Sequence, residues 1–323
     1  MRSSISSSKS AALIYAKVLA GICTLLVIAI EIVSQSVTLY SGTYQRVSRQ
    51  YAEAVGSRAS RPGSPVAALM VGNSLLLEGV EVDRLQRLTS RSVKIYPIFL
   101  EGTEYYDWLY GLRRLFRRGA RPQVVIVGLG LHDLLENVVR QEFVPRMLLD
   151  ARDILDASSD LGLNATVTTS LLLAHWSSFW DMRRAIRLKM FRRLVPGFED
   201  VYFQDLWSDL RAKRLSPVGP ESEAIAISRL QSLRELAERY GATLVILIPP
   251  TPSLPSSVRQ MTIVAQKAGV DTLMPIDPST VPARYYQRDQ IHLNQTGAEL
   301  FTTALAANLP KKILGRESVA WLE

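Results

Sequence analysis

The sequence predicts an α/β domain built on a parallel sheet, carried behind an N-terminal apolar helix and interrupted by a helical insertion. Three observations lead there. Short apolar runs recur five times, in PVAALMVGNS from Pro65, SVKIYPIFL from Ser92, PQVVIVGLG from Pro122, ATLVILIPP from Ala242 and VDTLMPID from Val270. Each is continuous rather than alternating, as a strand covered on both faces requires. Helical patterns lie between several of them, at 82–88, 106–117, 221–240, 256–268 and 295–309, and such alternation implies βαβ crossovers. One long stretch, about 133–220, offers no convincing strand and reads as a helical insertion.

From the N-terminus, residues 1–10 form a tail and 11–33, AALIYAKVLAGICTLLVIAIEIV, are long and apolar enough to cross about 30 Å of hydrocarbon as a helix. Arg2, Lys9 and Lys17 precede the most apolar part and favour a cytoplasmic N-terminus, which places the rest of the chain on the exported side of the inner membrane. A cleaved signal peptide is the alternative, because 18–30 is an uninterrupted apolar run and Ser34-Gln35-Ser36 is a small-x-small triplet. Residues 34–64 read as a linker, ending in the Gly-, Pro- and Ser-rich GSRASRPGSP, and the folded domain is expected over 65–323. Within the insertion, Trp176, Phe179, Met182, Ile186 and Met190 fall at helical spacing, beside Arg183, Arg184, Arg187, Lys189, Arg192 and Arg193. Such a segment can lie on a membrane, cradle an anionic chain, or simply cap the core with solvated charges.

Composition narrows the chemistry. The 323 residues are 47% hydrophobic and 21% charged, a globular balance, and the net charge of +8 favours anionic surroundings. Cys23, the sole cysteine, lies inside the apolar N-terminal run, so neither a disulfide framework nor a thiolate metal site can be built. Three histidines, His132, His175 and His292, without HExxH spacing, argue against a metal centre, and no cofactor is expected. Nucleic acid is not an expected partner, since the domain is read as exported and carries no recognised binding motif.

Serine becomes a useful nucleophile only when a neighbouring base takes its proton, and that base is usually a histidine oriented by a carboxylate. In an open parallel sheet, sites form at the carboxyl ends of strands. Ser74 stands there in MVGNSLL, after Gly72, which allows a tight turn, and at the start of a helical turn whose N–H groups can face developing negative charge. Alone, a serine after a strand is more often a helix cap than a nucleophile. Near the far end, RDQIHLNQTGAELF places Asp289 three residues before His292, a spacing that lets the carboxylate hold one imidazole nitrogen while the other faces a serine.

The two segments, GNSL and DxxHLNxxGAxxF, resemble the first and last blocks of the SGNH (GDSL-like) hydrolase superfamily. The resemblance spans about 65–309 and leaves the insertion unmatched. It implies a flavodoxin-like αβα sandwich, with Ser74, Asp289 and His292 as catalytic triad and the Gly102 N–H, joined by that of Ser74, as oxyanion donors. The third block departs from the pattern. Where the superfamily has Gly-x-Asn-Asp, this chain has Gly130-Leu131-His132-Asp133, so His132 stands in place of the donating asparagine. A neutral imidazole can still donate one N–H.

In plan, an anchor followed by an exported domain with a large insertion is similar to the envelope-modifying branch of that superfamily, which includes accessory proteins of alginate and cellulose O-acetylation and of teichoic-acid D-alanylation. That similarity implies transfer or removal of a small acyl group, such as acetyl, on a cell-surface polysaccharide, beside a multispanning membrane acyltransferase or a polysaccharide-export complex. Two rival readings stand beside it: a degenerate hydrolase domain serving as a scaffold subunit of an envelope polysaccharide or secretion complex, and a lipid esterase working at the membrane face.

Overall fold

Strand β1 (Val66–Gly72) is buried along its whole length, because helices cover the sheet on both sides of it. In the computed structural model, which describes residues 5–61 and 63–320, four more strands join it: β2 (Val93–Phe99), β3 (Val124–Gly128), β4 (Thr243–Leu247) and β5 (Asp271–Leu273). All pairings are parallel and the order is β2-β1-β3-β4-β5, the flavodoxin-like winding expected for the resemblance. All five strands fall inside the apolar runs singled out in the sequence.

The helices, in order, are α1 (Ile5–Leu39), α2 (Gly42–Val55), α3 (Ser74–Gly79), α4 (Val82–Thr89), α5 (Tyr105–Arg117), α6 (Leu131–Leu135), α7 (Val144–Met147), α8 (Ala151–Asp160), α9 (Ala165–Trp176), α10 (Ser178–Leu194), α11 (Phe198–Arg214), α12 (Glu221–Arg239), α13 (Pro255–Lys267) and α14 (Gln295–Ala320). Leu69 and Val71 of β1 point into a core shared with α5, α12 and α13, whereas Ala68 and Met70 point into one closed by Leu85 of α4 and Phe301 and Leu305 of α14. Period-two alternation of the strand thus supplies both cores at once. The insertion is helical throughout, with no strand among the described residues between β3 and β4.

The segment read as a linker is structured. Its α2 packs along β2, an edge strand, with Val47 and Ala54 fully buried and the Gln50 side chain accepting from the Phe99 N–H at 3.3 Å. Covering an edge strand in this way removes a row of unpaired backbone groups from solvent. The folded unit therefore begins near Gly42, not near Pro65.

Along α1, the stretch Ala12–Leu39 is long and apolar enough to cross a membrane, with a mean hydropathy of 2.4 in its most apolar window and none of that window buried. Its last turns are different. Ser34 and Thr38 are buried, and α1 packs on α10 there. Glu31 accepts from the Ser177 hydroxyl at 2.7 Å, from the Phe179 N–H at 3.2 Å and from the Ser178 N–H, satisfying the free donors at the start of α10. Residues 1–4 of the expected tail, and the last three of the chain, 321–323, lie outside the described residues.

Candidate active site

Ser74 is delivered to the carboxyl edge of the sheet by the close approach of α3. A Cβ on Gly72 would lie 2.7 Å from Leu76 Cδ1, and one on Gly128, its register partner on β3, would overlap the same atom. The two glycines thus make room for Leu76, itself fully buried, and let α3 turn directly off β1. Asn73 caps that turn, its side chain accepting from the Leu75 N–H at 3.0 Å. Ser74 is the first helical residue, so its own N–H has no intrahelical acceptor.

Asp289 and His292 arrive on a tight loop before α14. The Gln287 N–H donates to the His292 carbonyl at 2.7 Å, and Gln290 takes a left-handed φ of 56° to close the turn. Asp289 Oδ1 then accepts from the Ile291 and His292 N–H groups at 2.8 and 3.0 Å. Asn294 fixes this loop to α14, donating to the Arg284 carbonyl at 2.7 Å and accepting from the Gly297 N–H at 3.0 Å. A Cβ on Gly297 would collide with the Tyr285 carbonyl oxygen, so only glycine lets the loop and helix approach.

These two chain ends meet. The Ser74 Oγ lies 2.8 Å from His292 Nε2, and His292 Nδ1 lies 2.7 Å from Asp289 Oδ2. Both the histidine and aspartate side chains are 9% exposed. Burial alone would raise the Asp289 carboxyl, but the hydrogen bonds from the His292 ring and from the two backbone N–H groups outweigh it and hold the carboxyl below its usual range. An ionised Asp289 at Nδ1 keeps the proton on that nitrogen and leaves Nε2 free to accept from Ser74.

The three side chains open into a cavity of about 520 Å³ that Gly102 also lines, with a left-handed φ of 66°. Glu101 forms part of the wall and is held by Arg46 of α2 at 3.0 Å, so the helix read as linker helps shape the site. Trp207 of α11 packs its ring against His292, edge to face at 5.5 Å. Neither Arg46 nor Trp207 is foreshadowed by a sequence motif.

His132 is not brought to this cavity. Its ring lines a separate small one of about 20 Å³ with Arg214, Thr251 and Ser257, and its Nε2 has no hydrogen-bond partner. Burial, and then the Arg214 charge, lower its pKa. As the second residue of α6, His132 lies on the side of that turn facing α13, which is why occupying the asparagine position does not carry it to Ser74. Its neighbour Asp133 is committed structurally, accepting from the Gly130 N–H at 2.9 Å and pairing with Arg214 at 2.8 Å. Among the described residues, no group of three or more His, Cys, Asp or Glu side chains converges as a metal site would require.

Fold and site together define a doubly wound α/β domain with a serine, a histidine and an aspartate in hydrogen-bonded series at the carboxyl edge of its sheet. No protein-family model matches the chain, and no curated protein matches it in sequence. Among solved structures it is similar to an α/β hydrolase from the metagenome of Lake Arreo, Spain, at 13% identity and a TM-score of 0.38, over 76% of this chain and 95% of that one. It is also similar to an acetylxylan esterase from Geobacillus stearothermophilus, at 10% identity and a TM-score of 0.38, over 76% and 94% respectively.

Proposed function

We propose that this chain is a membrane-anchored serine ester enzyme that transfers or removes a small acyl group, such as acetyl, on a cell-envelope polysaccharide. The observation that carries the reading is the Ser74–His292–Asp289 series, with both links under 3 Å, at the wall of an open cavity. His292 takes the Ser74 proton as Oγ attacks the ester carbonyl, forming a tetrahedral intermediate whose oxyanion is met by the Ser74 and Gly102 N–H groups. Collapse expels the alcohol, which takes the proton from His292 and leaves acyl-Ser74. A glycan hydroxyl then repeats the sequence in transfer, or water does so in hydrolysis, the outcome depending on how well water is excluded. In the transfer mode, a multispanning acyltransferase of the same membrane is the natural source of the acyl group.

Retention of the anchor is supported by Glu31. Residues 12–30 span about 28 Å as a helix, close to the hydrocarbon thickness, which leaves Glu31 at the boundary where α10 meets it. Cleavage after the Ser34-Gln35-Ser36 triplet would strip α10 of the carboxylate that caps its first N–H groups.

One observation favours the scaffold reading instead: with His132 turned away, no side chain expected as an oxyanion donor lines the cavity. The full chain in detergent micelles, given a chromogenic acetyl ester beside its Ser74→Ala variant, separates the two. Turnover lost in the variant supports the enzyme; no turnover in either protein supports the scaffold; equal turnover in both removes Ser74 from the mechanism.

A further inference from the structure

The cavity at Ser74 runs into a second one of about 740 Å³, the two sharing Gly102, Arg140, Glu142, Arg184, Leu188 and Tyr202. Charge divides between them. Around Ser74 the ionisable lining is Glu78, Glu101, Glu142 and Asp289 against Arg140, Arg184 and His292. The second chamber sets Arg140, Arg183, Arg184 and Arg187 against Glu142 alone. Arg183 is engaged, donating to Gln141 Oε1 and Ser170 Oγ at 2.9 Å, and Arg184 donates to the Tyr202 hydroxyl at 3.2 Å. Arg187 is exposed and, among the described residues, has no hydrogen bond or ion pair.

Aromatic rings connect the two chambers. Phe191 stacks on Phe198 at 5.3 Å and Phe198 on Tyr202 at 5.4 Å; Tyr202 meets Phe203 edge on, Phe203 stacks on Trp207, and Trp207 reaches His292. Four of these rings come from α11, a helix none of whose described residues is fully buried. A chain of half-exposed rings ending on the histidine, with guanidinium groups beside it, suits a ligand that alternates apolar faces with negative charge.

We propose that the joined cavities bind a strand of a carboxylate-bearing polysaccharide, with a uronate carboxylate at Arg187 and Arg184 and a neighbouring sugar residue at Ser74. This names the substrate class of the ester-enzyme reading above and rests on it. A planar guanidinium matches a carboxylate with two parallel hydrogen bonds, and a pyranose ring presents a C–H face that packs on an aromatic ring. The carboxylates around Ser74 repel a second anion there, so the charged substituent is steered to the arginine chamber and a neutral ester is left beside the nucleophile. An anionic phospholipid would also satisfy the arginines, and Val138, Val139, Leu188, Leu206 and Leu210 add aliphatic surface to the lining, but the series of ring faces running from the arginine chamber to His292 favours the sugar chain, and the lipid is an outcome of the test.

Binding to the full-length Ser74→Ala protein in detergent micelles tests this, by calorimetry with a short galacturonate oligomer and with a neutral xylose oligomer of the same length. The uronate is expected to bind more tightly, to weaken as sodium chloride is raised, and to lose about tenfold on Arg187→Gln, while Arg187→Lys, which keeps the charge but not the paired hydrogen bonds, loses less than Arg187→Gln does. A melting curve matching the parent shows that the Arg187→Gln protein is folded. Equal binding of both oligomers, an Arg187→Gln protein that binds as its parent does, or displacement of the uronate by short-chain phosphatidylglycerol at lower concentration than by free galacturonate oligomer would each overturn it. Because the probe protein lacks the nucleophile, uronate binding without turnover in the ester assay leaves the chamber assigned and removes only the enzyme reading. Turnover without uronate binding does the reverse.

Discussion

Asp289→Asn is the most incisive perturbation of the proposed mechanism, because it removes one charge and turns one acceptor into a donor while keeping the side chain's shape. The amide oxygen can keep the two bonds that Asp289 Oδ1 accepts from the Ile291 and His292 N–H groups at 2.8 and 3.0 Å, so the loop retains its turn. The NH₂ group then falls where Oδ2 stood, 2.7 Å from His292 Nδ1, and donates to it. That selects the tautomer protonated on Nε2, which donates toward Ser74 Oγ instead of accepting from it, and the base is lost. The wrong tautomer in such a series costs about 10⁴ in turnover, or roughly 5 kcal/mol of barrier. Initial rates on a chromogenic acetyl ester measure it, with a thermal melt alongside to show that the fold is kept. A variant retaining more than a tenth of the parent rate would mean that Asp289 does not set the His292 tautomer, and the mechanism would fall with it.

Two further outcomes are expected. Gly128→Ala forces a methyl into Leu76, which is fully buried, so the variant should lose about 1–3 kcal/mol and melt several degrees lower; adding Leu76→Val should recover part of the loss, and an unchanged melting temperature in the single variant would contradict the packing described for α3. Asp181 is pushed up to about 7 by burial, despite the Phe143 N–H it accepts from at 2.7 Å. Between its ordinary value near 4 and about 7, the folded protein holds a proton that the unfolded chain releases, so this group makes stability fall as pH rises through that window. Asp181→Asn keeps an acceptor for the Phe143 N–H and should flatten that part of the melting-temperature profile; a profile as steep as the parent's would clear Asp181 of the role.

The strands were legible because burial on two faces leaves an unbroken apolar run, a signal that needs no tertiary information. The grouping of Ser74, Asp289 and His292 was expected on different grounds: strand ends in a parallel sheet and the spacing of Asp289 and His292 allow it, but it was the resemblance of GNSL and DxxHLNxxGAxxF to the superfamily's first and last blocks that joined the three. What escaped depends on contacts between distant segments. The sequence QRVSRQYAEAV in α2 is largely polar, and only the edge of β2 explains why Val47, Gln50 and Ala54 are buried. The aromatic pairs Phe198 with Tyr202 and Phe203 with Trp207 do stand at helical spacing in the sequence, yet nothing local says that Trp207 faces His292. The side of α6 on which His132 emerges is likewise set by packing against α13, not by its place in a motif.

The placing of His132 and the aromatic wall both involve the segment after β3. Beside His132, that segment carries Asp133, which holds the Gly130 N–H and pairs with Arg214, the last residue of α11; one residue earlier, Lys213 pairs with Glu136 at 2.6 Å. Arg214 lies seven residues after Trp207 and eleven after Phe203, nearly whole numbers of turns, so all three share a face of α11. Clamping Arg214 onto Asp133 therefore fixes the rotation of a helix none of whose described residues is fully buried, and the fixed rotation aims Trp207 at His292. Under the proposed mechanism, an indole against the imidazole shields that side of the base from water. A water-poor side favours an acyl-enzyme that waits for a glycan hydroxyl over one that hydrolyses, so the loop after β3 contributes to the site through the helix it holds instead of through an oxyanion contact.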